Sequence, residues 1–170
     1  MSDLATLLAL HHGELDELVA KLVTLDPRTS EWQAALDSLR LGLHAHMEAE
    51  EHAWRTVFPY SYAARIVDRL VEEHLLQERL VDRMSFDAPA HELIQDALEL
   101  RASLLSHDEQ ERLLVLPSVR SRATVAEYAQ LAPAYASRRA HNLGRLSEPN
   151  RTVGGFRTRK RSTSRMKSVS

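Results

Sequence analysis

Six histidine and glutamate residues recur along this 170-residue chain in two sets of the same pattern, and their side chains are of a kind that binds metal ions. Each set is a lone histidine followed by a histidine with a glutamate four residues later: His12, His46 and Glu50, then His74, His107 and Glu111. A residue and its neighbour four positions on lie on one face of a helix. If four helices bring these faces together, four imidazoles and two carboxylates can enclose a pair of metal ions.

The composition favours an all-α chain, because leucine and alanine dominate and only 5 glycines are present. The chain has no cysteine, which excludes disulfides and thiol chemistry and leaves nitrogen and oxygen as the only metal ligands. No apolar run approaches the ~20 residues of a membrane span. The first residues also lack the basic stretch of a signal peptide. We therefore expect a cytoplasmic protein without a membrane span.

Prolines and capping patterns divide the chain into five predicted helices. Four of them are expected over residues 2–25, 30–58, 61–84 and 89–116, and a shorter one begins at the capping pattern of Thr124 and Glu127. Ser30 should cap the second helix, Pro117 should end the fourth, and Pro133 should disturb the fifth. The expected fold is an antiparallel up-down-up-down four-helix bundle with a short C-terminal fifth helix.

Each of the four long helices carries a stripe of apolar residues at steps of three and four, typical of the inward face of a bundle helix. A histidine interrupts every stripe near its middle. On the fourth helix the stripe comprises Leu93, Ala97, Leu100, Leu104, His107, Glu111 and Leu114. Measured from the breaks between helices, the four histidines lie at levels that differ by only ~3–10 Å along the bundle. They are therefore expected to share one layer.

The other histidines are weaker candidates than these four. His44 and Glu48 have the same spacing, but their stripe is charged, so both are predicted to face water. His52, His91 and His141 have no partner on their faces and are predicted to lie at the surface. For the first helix, His11 remains the alternative to His12, which is preferred because Leu18-Val19 follow it as Leu80-Val81 follow His74. The alternative for the whole set is a hydrogen-bonded polar layer without metal.

This set of residues resembles the hemerythrin-like HHE cation-binding domain family. The stretch from His107 to Pro117 is similar to the family's fourth helix, and Glu73-His74 is similar to the start of its third. The sequence RRAHN at 138–142 is similar to the ending of many bacterial members. The resemblance covers residues 4–141, so we expect one domain over residues 1–143.

The resemblance implies a non-haem di-iron centre. Glu50 and Glu111 would bridge the two irons beside a solvent bridge, and the four histidines would bind two to each iron. Zinc and manganese suit the same ligands, so the assignment of iron rests on the resemblance. Glu78 stands where oxygen-carrying members have a fifth histidine, and its role as ligand, nearby base or surface acid stays open. Pro59 also follows His46 by 13 residues instead of the family's ten.

The expected function is binding of O₂, NO or peroxide for sensing, storage or scavenging. One alternative is a di-iron enzyme of the peroxidase or oxidase type, and the sequence leaves open whether the protein is an enzyme. Another is a metal-independent interaction module that uses the C-terminal tail, residues 144–170. Residues 151–170 contain seven basic residues and no acid, so we expect a disordered tail. Such a tail either has no target or binds nucleic acid or anionic surfaces weakly.

Overall fold

The computed structural model describes residues 3–57, 63–85 and 87–146, and all regular structure within these ranges is helical. The helices in chain order are α1 (Leu4–Thr24), α2 (Ser30–Val57), α3 (Ala63–Arg83), α4 (Ala90–Gln110), a π-helical turn (Glu111–Val115), α5 (Leu116–Arg122) and α6 (Val125–Leu146). The all-α prediction is therefore confirmed for the described residues. The predicted break at Pro59 lies outside them.

The helices pack around a shared core. Helix α1 packs against α2 and α4, and α3 packs against the same two helices. Helix α6 packs along α2 and also touches α1. Among the described helices, none has the length and apolar content needed to cross a bilayer.

Two apolar clusters lie on either side of the predicted histidine layer. The first contains the later part of α1 and α3 and the earlier part of α2 and α4, with Trp32 and Met84 fully buried. The second joins the start of α1 and the end of α2 to α5 and α6, with Trp54 and Tyr135 fully buried. On α1 and α2 the histidine positions fall between residues of the two clusters, so both clusters help to keep water from the layer.

The helix that begins at Ala90 does not end at Pro117, so that prediction is wrong. The chain widens into the π-helical turn, in which the N–H of Leu116 bonds to the carbonyl of Glu111, and then continues as α5. A proline has no N–H to donate and its ring crowds the preceding turn, so a wider turn accommodates Pro117. The extra residue in this turn rotates the later positions about the helix axis. Leu114, predicted to face inward, is consequently 57% exposed.

The last helix is not short, which corrects the predicted architecture. Helix α6 has 22 residues and contains Pro133 in its interior. A proline inside a helix costs about 3 kcal/mol, but burial of Leu131, Ala132 and Tyr135 against the bundle offsets that cost. The helix runs to Leu146, past the predicted domain end at residue 143. Residues 144–146, predicted to belong to the disordered tail, are therefore helical, and the rest of the predicted tail, residues 147–170, lies outside the described residues.

Side-chain caps fix two of the helix starts. Thr124 and Glu127 form the predicted capping box, since the backbone N–H of each donates to the side chain of the other, at 2.8 and 3.2 Å. For α2 the predicted cap is Ser30, but the N–H of Trp32 donates to Thr29 Oγ1 at 3.2 Å. The cap therefore lies one residue earlier than predicted.

Candidate metal centre

The six predicted residues meet between the helices, as a group called here the His–Glu cluster. Its members and their positions are His12 of α1, His46 and Glu50 of α2, His74 of α3, His107 of α4, and Glu111 at the start of the π-helical turn. Five of these side chains are buried, and that of His12 is only 9% exposed. The structure thus brings together all six residues that the sequence pattern singles out.

Glu50 faces the imidazoles of three helices. Its Oε2 lies 3.2 Å from Nε2 of His74 and 3.5 Å from Nε2 of both His46 and His107. Its other oxygen, Oε1, accepts a hydrogen bond of 3.1 Å from the indole N–H of Trp54. That bond orients the carboxylate so that one oxygen faces the cluster.

Glu111 and His12 form the other side of the cluster. His12 Nε2 lies 3.6 Å from Glu111 Oε2 and 3.1 Å from His46 Nε2. Ligand atoms of His12, His107 and Glu111 lie within 4.8 Å of one another, and so do those of His46, Glu50, His74 and His107. Either group is close enough to surround a metal ion.

Several polar atoms of the cluster are buried without a hydrogen-bond partner. They are Glu50 Oε2, His74 Nε2, His107 Nε2 and both carboxylate oxygens of Glu111. Leaving such a group unsatisfied costs about 1–3 kcal/mol, and more if it is charged. A bound cation would satisfy these acceptors together. The cluster therefore has the donor types, the spacing and the unsatisfied atoms needed to hold a metal ion.

Carboxylates on neighbouring helices hold the outer nitrogens of two cluster histidines. His12 Nδ1 is 2.7 Å from Asp108 Oδ1, and His107 Nδ1 is 2.9 Å from Glu73 Oε2. A carboxylate accepts hydrogen bonds, so each Nδ1 carries a proton and each Nε2 is the nitrogen left to bind a metal. Outer partners of this kind fix a metal-binding histidine in the required tautomer.

The other two cluster histidines also have outer partners. His74 Nδ1 is 3.4 Å from Glu51 Oε1, and His46 Nδ1 is 2.9 Å from the hydroxyl of Tyr135 on α6. None of the four outer partners is predicted by the sequence pattern. A signal existed for Glu51, Glu73 and Asp108, because each is adjacent in sequence to a cluster residue and so faces the next helix. Tyr135 gave none, since α6 was predicted to be short.

Burial and mutual charge push the two glutamates in opposite directions. Burial and the nearby charge of Glu50 raise the pKa of Glu111 well above its usual value. Burial also acts to raise the pKa of Glu50, but the imidazoles of His107 and His74 outweigh it and hold that pKa well below the usual range. Without metal, the surroundings therefore favour the protonated form of Glu111 and the charged form of Glu50.

The pKa values of the four cluster histidines also shift in opposite directions. Burial lowers the pKa of both His12 and His46. Burial acts against the charged form of His107 and His74 as well, but Glu50 with Glu73 raises the pKa of His107 to about 10, and Glu50 with Glu51 raises that of His74. The second proton of charged His107 sits on Nε2, where a metal would bind, so protons and metal compete for this nitrogen.

The remaining candidates lie outside the cluster. His11 is buried, with Nδ1 2.7 Å from the hydroxyl of Tyr135, and belongs to neither group of ligand atoms. Glu78 is half-buried on α3, lines a small surface cavity together with His44 and belongs to neither group of ligand atoms. Burial raises the pKa of the Glu78 carboxyl.

His44 and Glu48 belong to neither group of ligand atoms, but they are less exposed than their charged stripe predicts. Both are half-buried, and Glu48 Oε2 accepts from Arg138 of α6 at 3.0 Å. Helix α6, which sequence reasoning underestimated, packs along α2 and shields this region. His52, His91 and His141 are exposed, as predicted.

Comparison with known proteins adds no relative. The chain matches no protein-family model, no curated protein and no solved structure.

Proposed function

We propose that this protein is a non-haem di-iron protein that binds O₂, NO or peroxide for sensing, storage or scavenging, on an antiparallel four-helix bundle of the hemerythrin-like type. The observation that carries the proposal is the convergence of buried imidazole nitrogens and carboxylate oxygens from four helices, several of them without a hydrogen-bond partner. A polar layer that served packing alone would leave fewer acceptors unsatisfied.

The spacing of the imidazole rings supports two histidines for each iron. The two closest pairs of ring centroids are His12–His46 at 4.7 Å and His74–His107 at 5.0 Å, and the next closest pair is 5.6 Å apart. His107 belongs to both groups of ligand atoms, but its Nδ1 is held by Glu73, so its single free nitrogen can serve only one ion.

The two glutamates suit shared ligands between these pairs. Glu50 Oε2 lies within 3.5 Å of one nitrogen of His46 and of both histidines in the other pair. The bond from Trp54 uses one lone pair of Glu50 Oε1 and leaves another available. Glu111 offers two oxygens without partners. Two metals would offset the cost of burying two carboxylates.

Iron in such a site would supply reversible binding of a small ligand at a coordination position that the protein leaves open. The side chains of this chain do the rest. The outer carboxylates hold three of the four imidazoles in the ligating tautomer, and the hydroxyl of Tyr135 contacts the fourth, His46. The two apolar clusters exclude bulk water from both ends of the layer. Iron is preferred to zinc or manganese because of the resemblance of the sequence to the hemerythrin-like family.

Addition of azide or nitric oxide to iron-loaded protein tests the open position. The near-ultraviolet absorption of the oxidised protein should change in a saturable way as the ligand binds. An iron-loaded protein whose spectrum neither compound alters would have a closed site, and the proposal of small-ligand binding would be wrong.

A cavity beside the cluster favours a second candidate, a di-iron enzyme with an organic co-substrate. The cavity has a volume of about 310 Å³ and lies between α3 and the π-helical turn, lined in part by Arg69, Leu70 and Leu114. Glu73 also lines it and bonds to His107. Turnover of peroxide that depends on an added organic reductant would support this candidate. Stoichiometric binding of peroxide without turnover would support the first candidate, a protein that binds small ligands.

A further inference from the structure

The hydroxyl of Tyr135 lies between two buried histidines of different helices. It is 2.7 Å from Nδ1 of His11 on α1 and 2.9 Å from Nδ1 of His46 on α2. The rings of Tyr135 and His11 also stack, with centroids 5.4 Å apart. Tyr135 has no exposed surface, so water does not compete for these bonds.

The hydroxyl of Tyr135 has a single proton, so its two hydrogen bonds run in opposite directions. A phenol has one hydrogen to donate, so the hydroxyl donates to one histidine and accepts from the other. If Tyr135 donated to His46, the proton of neutral His46 would sit on Nε2, which faces His12 and Glu50 at 3.1 and 3.5 Å. That nitrogen could not then bind a metal.

The opposite direction is the one that a metal bound at His46 Nε2 requires, because that nitrogen and His12 Nε2, 3.1 Å apart, then both present lone pairs to the cation. His46 Nδ1–H donates to the oxygen of Tyr135, and Tyr135 O–H donates to the bare Nδ1 of His11. The lone pair of His46 Nε2 then faces the cluster. His11 keeps its proton on Nε2 and is held by Tyr135 in a position outside both ligand groups.

We propose that Tyr135 is a positioning residue that fixes His46 in the ligating tautomer and holds the neighbouring His11 out of the metal centre. This inference rests on the proposed function and assigns α6 a direct part in it. Tyr135 also separates the two adjacent histidines of α1 by role. His11 turns to the tyrosine, and His12 turns to the cluster, where Asp108 orients it.

Tyr135 differs from the outer partners of the other cluster histidines. Glu51, Glu73 and Asp108 carry carboxylates, which only accept, so each defines the tautomer of its histidine directly. Tyr135 can accept or donate. The orientation of His46 therefore depends on a third group, and in the described part of the chain that group is His11.

Replacement of Tyr135 by phenylalanine removes the hydroxyl and retains the ring. The affinity for Fe²⁺, measured by anaerobic titration, should fall roughly 10- to 100-fold, the usual effect of losing an outer partner of a metal ligand. Tyr128→Phe is the matched control, because Tyr128 is a half-buried tyrosine of the same helix whose ring lies against Arg120. Its affinity should match that of the unmodified protein. A Tyr135→Phe affinity within twofold of the control would overturn the proposal.

The tautomers give a readout that does not depend on affinity. In protein loaded with diamagnetic zinc, ¹⁵N chemical shifts of the imidazoles should show the proton of His46 on Nδ1 and that of His11 on Nε2. The opposite assignment would overturn the proposal, whether or not the tyrosine variant folds. Protein that shows the expected tautomers but binds no Fe²⁺ would refute the di-iron function and leave the positioning role of Tyr135 standing.

Discussion

Glu111 offers the sharpest test of whether the cluster exists for metal or for packing. Its carboxylate is 1% exposed and neither oxygen has a hydrogen-bond partner. Replacement by leucine, of similar volume, removes both unsatisfied atoms. One buried, unsatisfied polar group such as this carboxyl costs about 1–3 kcal/mol, so metal-free Glu111→Leu should be more stable than the unmodified protein by that amount. With ~2–4 °C per kcal/mol for a chain of this size, the melting temperature should rise by several degrees.

Bound metal should reverse this ranking, so that the unmodified protein becomes more stable than Glu111→Leu. A ligand at 100 times its dissociation constant stabilises the folded state by about 2.7 kcal/mol. The unmodified protein should gain this stabilisation from Fe²⁺, and Glu111→Leu should lose most of it together with the ligand. Urea unfolding with a chelator and with Fe²⁺ measures both orders. Glu109→Leu is the control, since Glu109 is an exposed neighbour whose replacement should change stability by no more than ~0.5 kcal/mol.

The refuting result is a loss of stability in the chelated variant. If metal-free Glu111→Leu is less stable by more than about 1 kcal/mol, Glu111 belongs to a satisfied polar layer, and the alternative of a metal-independent core holds. An equal gain from Fe²⁺ in both proteins would separately exclude Glu111 as a ligand.

Three further predictions concern the register of α2, the competition with protons and the tail. His46→Ala should abolish or greatly reduce iron content, and His44→Ala should leave it nearly unchanged. If elemental analysis gave the reverse ranking, the face of α2 that carries His44 would be the one that binds metal. Metal affinity should rise with pH, because His107, with its pKa raised to about 10, and His74, with its pKa raised as well, must release protons to bind. The rise is about tenfold per pH unit for each proton released, and titrations at pH 6, 7 and 8 that give a flat profile would contradict it. Deletion of residues 151–170 should leave iron content intact while lowering any retention on DNA at low salt, and iron loss would place the tail in the fold.

The buried faces of the helices and the members of the His–Glu cluster could be predicted from the sequence. Apolar residues at steps of three and four report which face of a helix is buried, and His46 continues such a stripe directly from Leu39 and Leu43. Helix length between breaks then set the level of each histidine. These are local properties, and the buried positions of His46, His74 and His107 agree with them.

Features that depend on packing between helices could not be predicted in this way. Pro133 has an unfavourable local propensity, which the burial of Tyr135 and its neighbours outweighs. Pro117 was expected to stop a helix, but the chain accommodates it through a π-helical turn at Glu111. The outer partner of His46 lies 89 residues away in sequence, and no periodicity within α2 indicates it.

Metal content is the most direct test of the central claim. Protein purified under oxygen from cells supplied with ample iron should contain about two irons per chain and absorb in the near ultraviolet, as expected for two metals that share bridging ligands. Glu111→Ala should lose at least one iron and that absorption. Well-folded protein that is colourless and metal-free, and that takes up no iron on reconstitution, would contradict the di-iron account.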